Sequence, residues 1–213
     1  TLLRNNTKTY KLTEYHTAIF QTFINICTLT PILHFRIYTV RSIINHYVSH
    51  GNTVNLCALD VSKAFDRTNF HGIYVRLMQK LVPCELLTML EDWFSKCFTC
   101  VKWISVFSTF FQLKCGVRQG GVLSPYLFAL YIDIIVDKVK RQNIGCILHY
   151  FCYSIILYAD DMLLLAPSLD ALQRLILICE EELRLLDLAI NAKKSVCTRI
   201  GPRCHSLCNH VYI

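Results

Sequence analysis

The chain of 213 residues is 54% hydrophobic and 17% charged, with a formal net charge of +7, which excludes a disordered polypeptide and provides ample apolar sequence for a core. The basic excess suits a nucleic-acid partner through phosphate contacts and equally suits a solvated basic surface. Twelve cysteines, most of them inside apolar patterns as at Cys27, Cys57, Cys115, Cys152 and Cys179, with no signal peptide at the start, predict reduced core thiols in an intracellular protein.

Residues 1–12 are polar and suggest no element. Helical apolar spacing runs from Glu14 to Cys27 and again from Leu33 to Ser49, with Pro31 between and Phe35, Tyr38, Ile43, Ile44 and Tyr47 near one face. Arg36, Arg41, His46 and His50 decorate the second helix as a solvated face. His50-Gly51-Asn52 ends it and turns into a strand, Val54 to Asp60. After the compact loop Val61 to Phe70, a helix carries Phe70, Ile73, Leu77 and Leu81 at three- and four-residue spacing, and Pro83 breaks it. A helix from Cys84 to Phe98 with Leu87, Leu90 and Phe94 inward precedes two short strands, Val101 to Val106 and Thr109 to Leu113.

The polar, glycine-bearing loop Cys115 to Val122 leads into a helix to Lys140, with Ser124 as N-cap and Pro125 at the first helical position. Paired Gly120 and Gly121 permit close backbone approach by a ligand or are simply turn chemistry. Ile155 to Leu165 reads as a hairpin turning at Ala159-Asp160-Asp161. Pro167-Ser168 then caps a helix from Leu169 to Asp187, with Leu172, Leu175, Ile176, Leu183 and Leu186 inward. A last strand lies within Leu188 to Ile200. The order predicts an α+β fold, a mainly antiparallel sheet with helices packed on one face. The stretch closest to a membrane span, Leu123 to Val136, contains Asp133, is followed by Asp137-Lys138, and falls short of the roughly 18 uncharged apolar residues a span needs. Cys97-x-x-Cys100 and Cys204-His205 with Cys208 and His210 have zinc-ligand chemistry, but no spacing that closes a compact loop.

Asp160 and Asp161 stand in the middle of an apolar run, where an ionised carboxylate persists only if water, donors or a cation stabilises it. They are ordinary turn formers in one reading. In the other they act with Asp60, a second carboxylate at the end of an apolar strand. Neighbouring strands of one sheet would bring these ends together, the minimum geometry for two metal ions about 3.5–4 Å apart in nucleotidyl transfer.

Four segments in order, Leu59-Asp60-Val61-Ser62-Lys63-Ala64-Phe65-Asp66, Gly116 to Phe128, Tyr158-Ala159-Asp160-Asp161 and Asn191-x-x-Lys194-Ser195, closely resemble reverse transcriptases of non-LTR retrotransposons. The likeness covers residues 33–201. It implies a polymerase palm with a ferredoxin-like sheet and an N-terminal helical part of the fingers, after a poorly placed segment 1–32 and before a polar tail 202–213. It implies two Mg2+ ions, or Mn2+, held by Asp60, Asp160 and the backbone carbonyl of Val61, with Asp161 supporting the site. Phe65 would be the aromatic gate against a ribose 2′-hydroxyl, or else a core phenylalanine. Arg118, Gln119 and Gly120 match the loop that contacts template and nascent base pair, Tyr158 belongs to the substrate site, and Lys194 matches the lysine that serves the leaving pyrophosphate, or else is a solvated strand-end residue.

The implied partners are an RNA template, a DNA primer and dNTPs, with the chain a piece of a larger retrotransposon polyprotein acting in the nucleus or cytoplasm. The resemblance departs upstream, where Gln21-Thr22-Phe23-Ile24-Asn25 stands in for the basic fingers motif, and no thumb follows the last strand. These departures keep open a catalytically inactive palm remnant that at most binds nucleic acid. A template-independent nucleotide cyclase with a related palm is disfavoured by the Gly116 to Phe128 stretch.

Overall fold

The computed structural model describes residues 32–118, 120–158, 161–203 and 211–213. The expected helix Glu14 to Cys27, Gln119, Asp160 and the Cys204–His210 group therefore lie outside the described residues. Two compact units divide the chain, 1–35 and 36–213.

In chain order the elements are α1 (Ile32–Ser49), β1 (Val54–Asp60), α2 (Ala64–Arg67), α3 (Phe70–Gln79) and α4 (Cys84–Ser95). Four short strands follow, β2 (Phe98–Thr99), β3 (Lys102–Trp103), β4 (Val106–Phe107) and β5 (Phe111–Gln112). Then come α5 (Ser124–Arg141), β6 (Cys146–Leu148), β7 (Phe151–Tyr153), β8 (Ile155–Tyr158), β9 (Asp161–Ala166), α6 (Leu169–Leu185) and β10 (Val196–Ile200). The main sheet is four-stranded in the order β10-β1-β9-β8, with every neighbour antiparallel.

The two inner strands are largely apolar because one face is buried along its length and the other is buried at the Val54 end. On one face Cys57, Leu59, Met162, Leu164 and Ala166 are buried on the side where α6 packs on β1 and β9 and α5 packs on β8; the inward residues of the two helices, Leu127, Phe128, Tyr131, Ile135, Leu172, Leu175, Ile176 and Leu183, recur at helical spacing. Gly72 on α3 lies where a Cβ would sit 2.5 Å from the Tyr131 ring, so the absence of a side chain there lets α3 close on α5. The Tyr131 hydroxyl donates to the carbonyl of Leu186 at 2.9 Å, tying α5 to the end of α6. Between the same helices, buried Glu182 is neutralised by Lys138 at 2.5 Å.

The opposite face alternates between cover and opening. Ile43 of α1 packs with Val54, Leu56 and Leu165, and with Cys146 and Leu148 of the small β6–β7 hairpin. This cover stops halfway along the strands: Ala58, two residues on from Leu56, is exposed, as is its partner Val196. The sheet is thus closed at the Val54 end and open at the Asp60 end.

Several sequence expectations shift locally. The helix expected to reach Phe98 stops at Ser95, because Phe98 and Thr99 pair with Phe111 and Gln112. Leu81, assigned to the apolar stripe of α3, adopts φ 57° beyond the helix end and is exposed. The expected strand Val101 to Val106 is a hairpin, Lys102 facing Phe107 and Trp103 facing Val106. Tyr38 is exposed rather than inward. The last strand is shorter than expected, beginning at Val196 after an isolated bridge between Val61 and Ile190. The ribbon from Phe98 to Gln112 leaves Trp103 76%, Ile104 83% and Phe110 74% exposed. No helix of the described residues is long and apolar enough to cross a membrane.

Candidate active site

β1 and β9 carry the carboxylates. Their antiparallel register pairs Leu56 with Leu165, Ala58 with Leu163, and Asp60 with Asp161. Side chains two apart along a strand share a face, so Asp60 and Asp161 lie on the open face, at the uncovered end, with Cβ atoms about 4.5–5.5 Å apart. Tyr158 of β8 is in turn the register partner of Asp161. Three expected site positions therefore form one row across three strands, and Asp160 is the residue preceding Asp161. None of the ion pairs among the described residues involves Asp60. Two like charges set side by side oppose each other, and a hard divalent cation with oxygen ligands suits such a donor set.

A turn from the far end of the chain holds the backbone of Asp60. The Asp60 N–H donates to Ser195 Oγ at 3.2 Å, and the Asn191 N–H donates to the Asp60 carbonyl at 2.8 Å. Ser195 Oγ donates in its turn to the Asn191 carbonyl at 2.9 Å. Lys194 is exposed in this turn, with its N–H bonded to the same Asn191 carbonyl. The motif Asn191-x-x-Lys194-Ser195 is thereby fastened directly to the strand-end aspartate. Ser195→Ala removes one acceptor from a partly buried amide, and we expect a loss of about 1–2 kcal/mol in a denaturant melt, with Ser195→Thr retaining most of the stability.

Past Asp60 the chain turns sharply. Val61 is buried and bridges Ile190, Ser62 donates to the Ala189 carbonyl, and Lys63 adopts φ 51° ahead of the single turn α2. Phe65 on α2 is partly exposed and rests against the buried Phe128 ring, centroids 4.9 Å apart. The Gly116 to Phe128 stretch reaches this same turn. Val117 N–H donates to the Phe65 carbonyl at 2.7 Å and Gly116 N–H to the Thr68 carbonyl at 2.8 Å. Thr68, fully buried, donates through Oγ1 to the Ala64 carbonyl.

Ser124 departs from its expected capping role. Leu123 occupies the N-cap position of α5, and the Ser124 hydroxyl donates to the Arg118 carbonyl at 2.5 Å. That carbonyl also accepts from Gly121 N–H at 3.0 Å. Gly120 has φ 78°, a conformation that favours glycine, and Arg118 is exposed. Asn191, Ser195, Thr68 and Ser124 emerge as positioning residues. The first two lie within the fourth motif and Ser124 within the second, where it reads as a cap, whereas Thr68 carries no distinctive sequence signal. Among the described residues no group of three or more His, Cys, Asp or Glu side chains forms a metal-binding cluster. Cys97 and Cys100 are partly buried.

The family model described as reverse transcriptase (RNA-dependent DNA polymerase) matches residues 6–207 of this chain. The chain belongs to the reverse transcriptase family. Among curated relatives, the Pol polyprotein of the type-2 retrotransposable element R2DM of Drosophila melanogaster is 28% identical over 159 residues, 75% of this chain and 15% of that protein. The Pol polyprotein of the type-1 element R2 of Nasonia vitripennis is 29% identical over 118 residues, 55% of this chain and 11% of that protein. These relatives place it with the reverse transcriptase domains of non-LTR retrotransposons, and it spans only 11–15% of their length. Among solved structures, apo telomerase from Candida tropicalis superposes with a TM-score of 0.66 at 15% identity, covering 90% of this chain and 41% of that one. That likeness shows the fold: this reverse transcriptase domain has the α+β palm that its motifs implied.

Proposed function

We propose that this reverse transcriptase domain is the palm of an RNA-directed DNA polymerase, which adds deoxynucleotides to a primer 3′-hydroxyl on an RNA template. The observation that carries the reading is the register that sets Asp60 beside Asp161, one residue past Asp160, at the uncovered end of the sheet. Asp60, Asp160 and the Val61 carbonyl supply only oxygen donors, the chemistry that suits Mg2+. Two bound magnesium ions would activate the 3′-hydroxyl and neutralise charge on the triphosphate.

The protein's own groups do the rest. Asp161 adds negative charge beside the ligating carboxylates. Arg118, just after the Gly116–Val117 pair that is bonded to the Phe65–Thr68 segment, and Gln119 offer donors to the template and nascent pair, and Gly120 lets the backbone approach. The resemblance assigns Tyr158 to the nucleotide site, and Lys194, exposed in the turn that fastens Asp60, supplies a proton and positive charge to the departing pyrophosphate. Phe65, backed by Phe128, is the gate against a ribose 2′-hydroxyl. Phe65→Val should therefore raise ribonucleotide incorporation relative to deoxynucleotide by about 10- to 200-fold, measured as the ratio of kcat/KM for the two substrates. An unchanged ratio would make Phe65 a packing residue only.

Primer extension on poly(rA) with oligo(dT) and dTTP, with and without Mg2+, beside Asp160→Asn, tests the function. Incorporation that needs both the ion and Asp160 supports polymerase chemistry. Salt-sensitive nucleic-acid binding by a folded chain without extension would favour binding without catalysis.

A further inference from the structure

Outside the carboxylate site, two cysteines meet across the edge of the main sheet. Cys57 of β1 and Cys197 of β10 are direct register partners, and their sulfurs lie 2.9 Å apart. Opposed residues of an antiparallel pair have Cα atoms about 4.5–5.5 Å apart, inside the span of about 4.4–6.8 Å that a disulfide bridges. The two thiols differ in access: Cys57 is fully buried, while Cys197 is exposed. We propose that Cys57 and Cys197 are a redox-sensitive thiol pair that closes to a cross-strand disulfide when a small-molecule disulfide reaches Cys197.

The exchange balances in two steps. The Cys197 thiolate attacks one sulfur of the oxidant, forming a mixed disulfide and releasing one small thiolate. The Cys57 sulfur, after losing its proton, attacks Cys197 Sγ and displaces the second small thiolate. Two protein thiols become one disulfide, the oxidant gains two electrons, and the two released thiolates take up the two protons. Burial holds the Cys57 thiol well above its ordinary pKa, with Cys197 and Cys179 also raising it, so the second step is the slow one and speeds up toward alkaline pH.

The link has a structural consequence wherever it forms. Among the described residues β10 is the edge strand and pairs only with β1 in this sheet. A covalent tie would fasten it two residues past Ser195 and three before Asp60, securing the turn that holds the Asp60 backbone. The inference rests on strand register and sulfur positions and stands apart from the polymerase reading.

The test is to incubate the folded chain with glutathione disulfide at pH 8, block free thiols with N-ethylmaleimide, and identify linked peptides by mass spectrometry. The expected product is a Cys57–Cys197 linkage, reversed by dithiothreitol, with a melting temperature about 5–10 °C above that of the reduced chain. Cys197→Ser, at an exposed position, should lose both the linkage and the oxidant-dependent shift. Cys84→Ser, equally exposed, should keep both. Recovery of Cys197 solely as its glutathione adduct, of Cys57 joined to Cys179, or of the expected linkage with a lowered melting temperature would overturn the proposal.

Discussion

Replacing Asp60 by Asn is expected to lower nucleotide incorporation by about 10³-fold or more, the several kcal/mol that metal-ion catalysis contributes to the barrier, while leaving the fold intact. Asparagine keeps the shape of the side chain and the backbone bonds to Asn191 and Ser195, so the amide on Ser195 Oγ is undisturbed. What it removes is an anionic oxygen ligand and one of the two like charges that face each other across β1 and β9. Relief of that repulsion, about 0.2–1 kcal/mol for directly opposed side chains, should raise the thermal midpoint slightly. Single-turnover extension and calorimetry on a polymerase-active form separate the two effects. Activity near that of the unaltered protein would sink the metal-ligand assignment. A lowered midpoint would show that the carboxylate serves the fold.

Gly116→Ala should damage both stability and activity, through a single atom. Gly116 holds φ 89°, and a Cβ placed there would lie 2.7 Å from the Asp66 carbonyl oxygen and 3.2 Å from the Asp66 Cα. Those are backbone atoms and cannot swing away as a long side chain would. The unfavourable conformation costs about 1–2 kcal/mol, and the displaced carbonyl adds strain and weakens the Gly116 to Thr68 bond. We expect a total of about 3 kcal/mol, or a fall of about 6–12 °C in the melting temperature of a chain this size. Because the loop carrying Arg118 is anchored to the turn after Asp60, residual activity should fall through kcat as well as KM. Gly51→Ala is the control: its φ of 72° is similar, but nothing lies within 4 Å of its Cβ position, so the conformational cost should appear alone.

The inner strands and the helices α5 and α6 were legible because burial of one strand face throughout and of the other at the Val54 end leaves largely apolar runs, and one-sided burial of the helices leaves a stripe. The motif segments likewise marked which loops converge. The β6–β7 hairpin was not legible. Its turn residues His149 and Tyr150 have φ 49° and 67°, the positive values a tight hairpin turn demands, yet neither is the Gly, Asn or Asp that signals such a turn. Leu81 continued an apolar stripe in spacing while the backbone had already left the helix at φ 57°. Ser124 stood before proline as a cap would, and its hydroxyl instead reaches back six residues to Arg118. The bond from Asp60 to Ser195 joins positions 135 residues apart, a pairing that no local pattern encodes. The pairing of Asp60 with a strand-end carboxylate was foreseen, though its register partner is Asp161 and Asp160 lies outside the described residues.

The ribbon from Phe98 to Gln112 bears on how the isolated chain behaves in the tube. It combines two-residue strands with the exposed rings of Trp103, Phe107, Phe110 and Phe111, an apolar surface large enough to drive association. The net charge of +7 opposes clustering at low ionic strength, and added salt screens that repulsion without weakening ring-to-ring contact. Colloidal stability should therefore decline as salt rises, with light scattering growing between about 0.05 and 0.5 M. Trp103→Lys with Phe110→Lys should suppress that growth while leaving the palm untouched, which makes the ribbon the first place to alter when a stock solution turns cloudy.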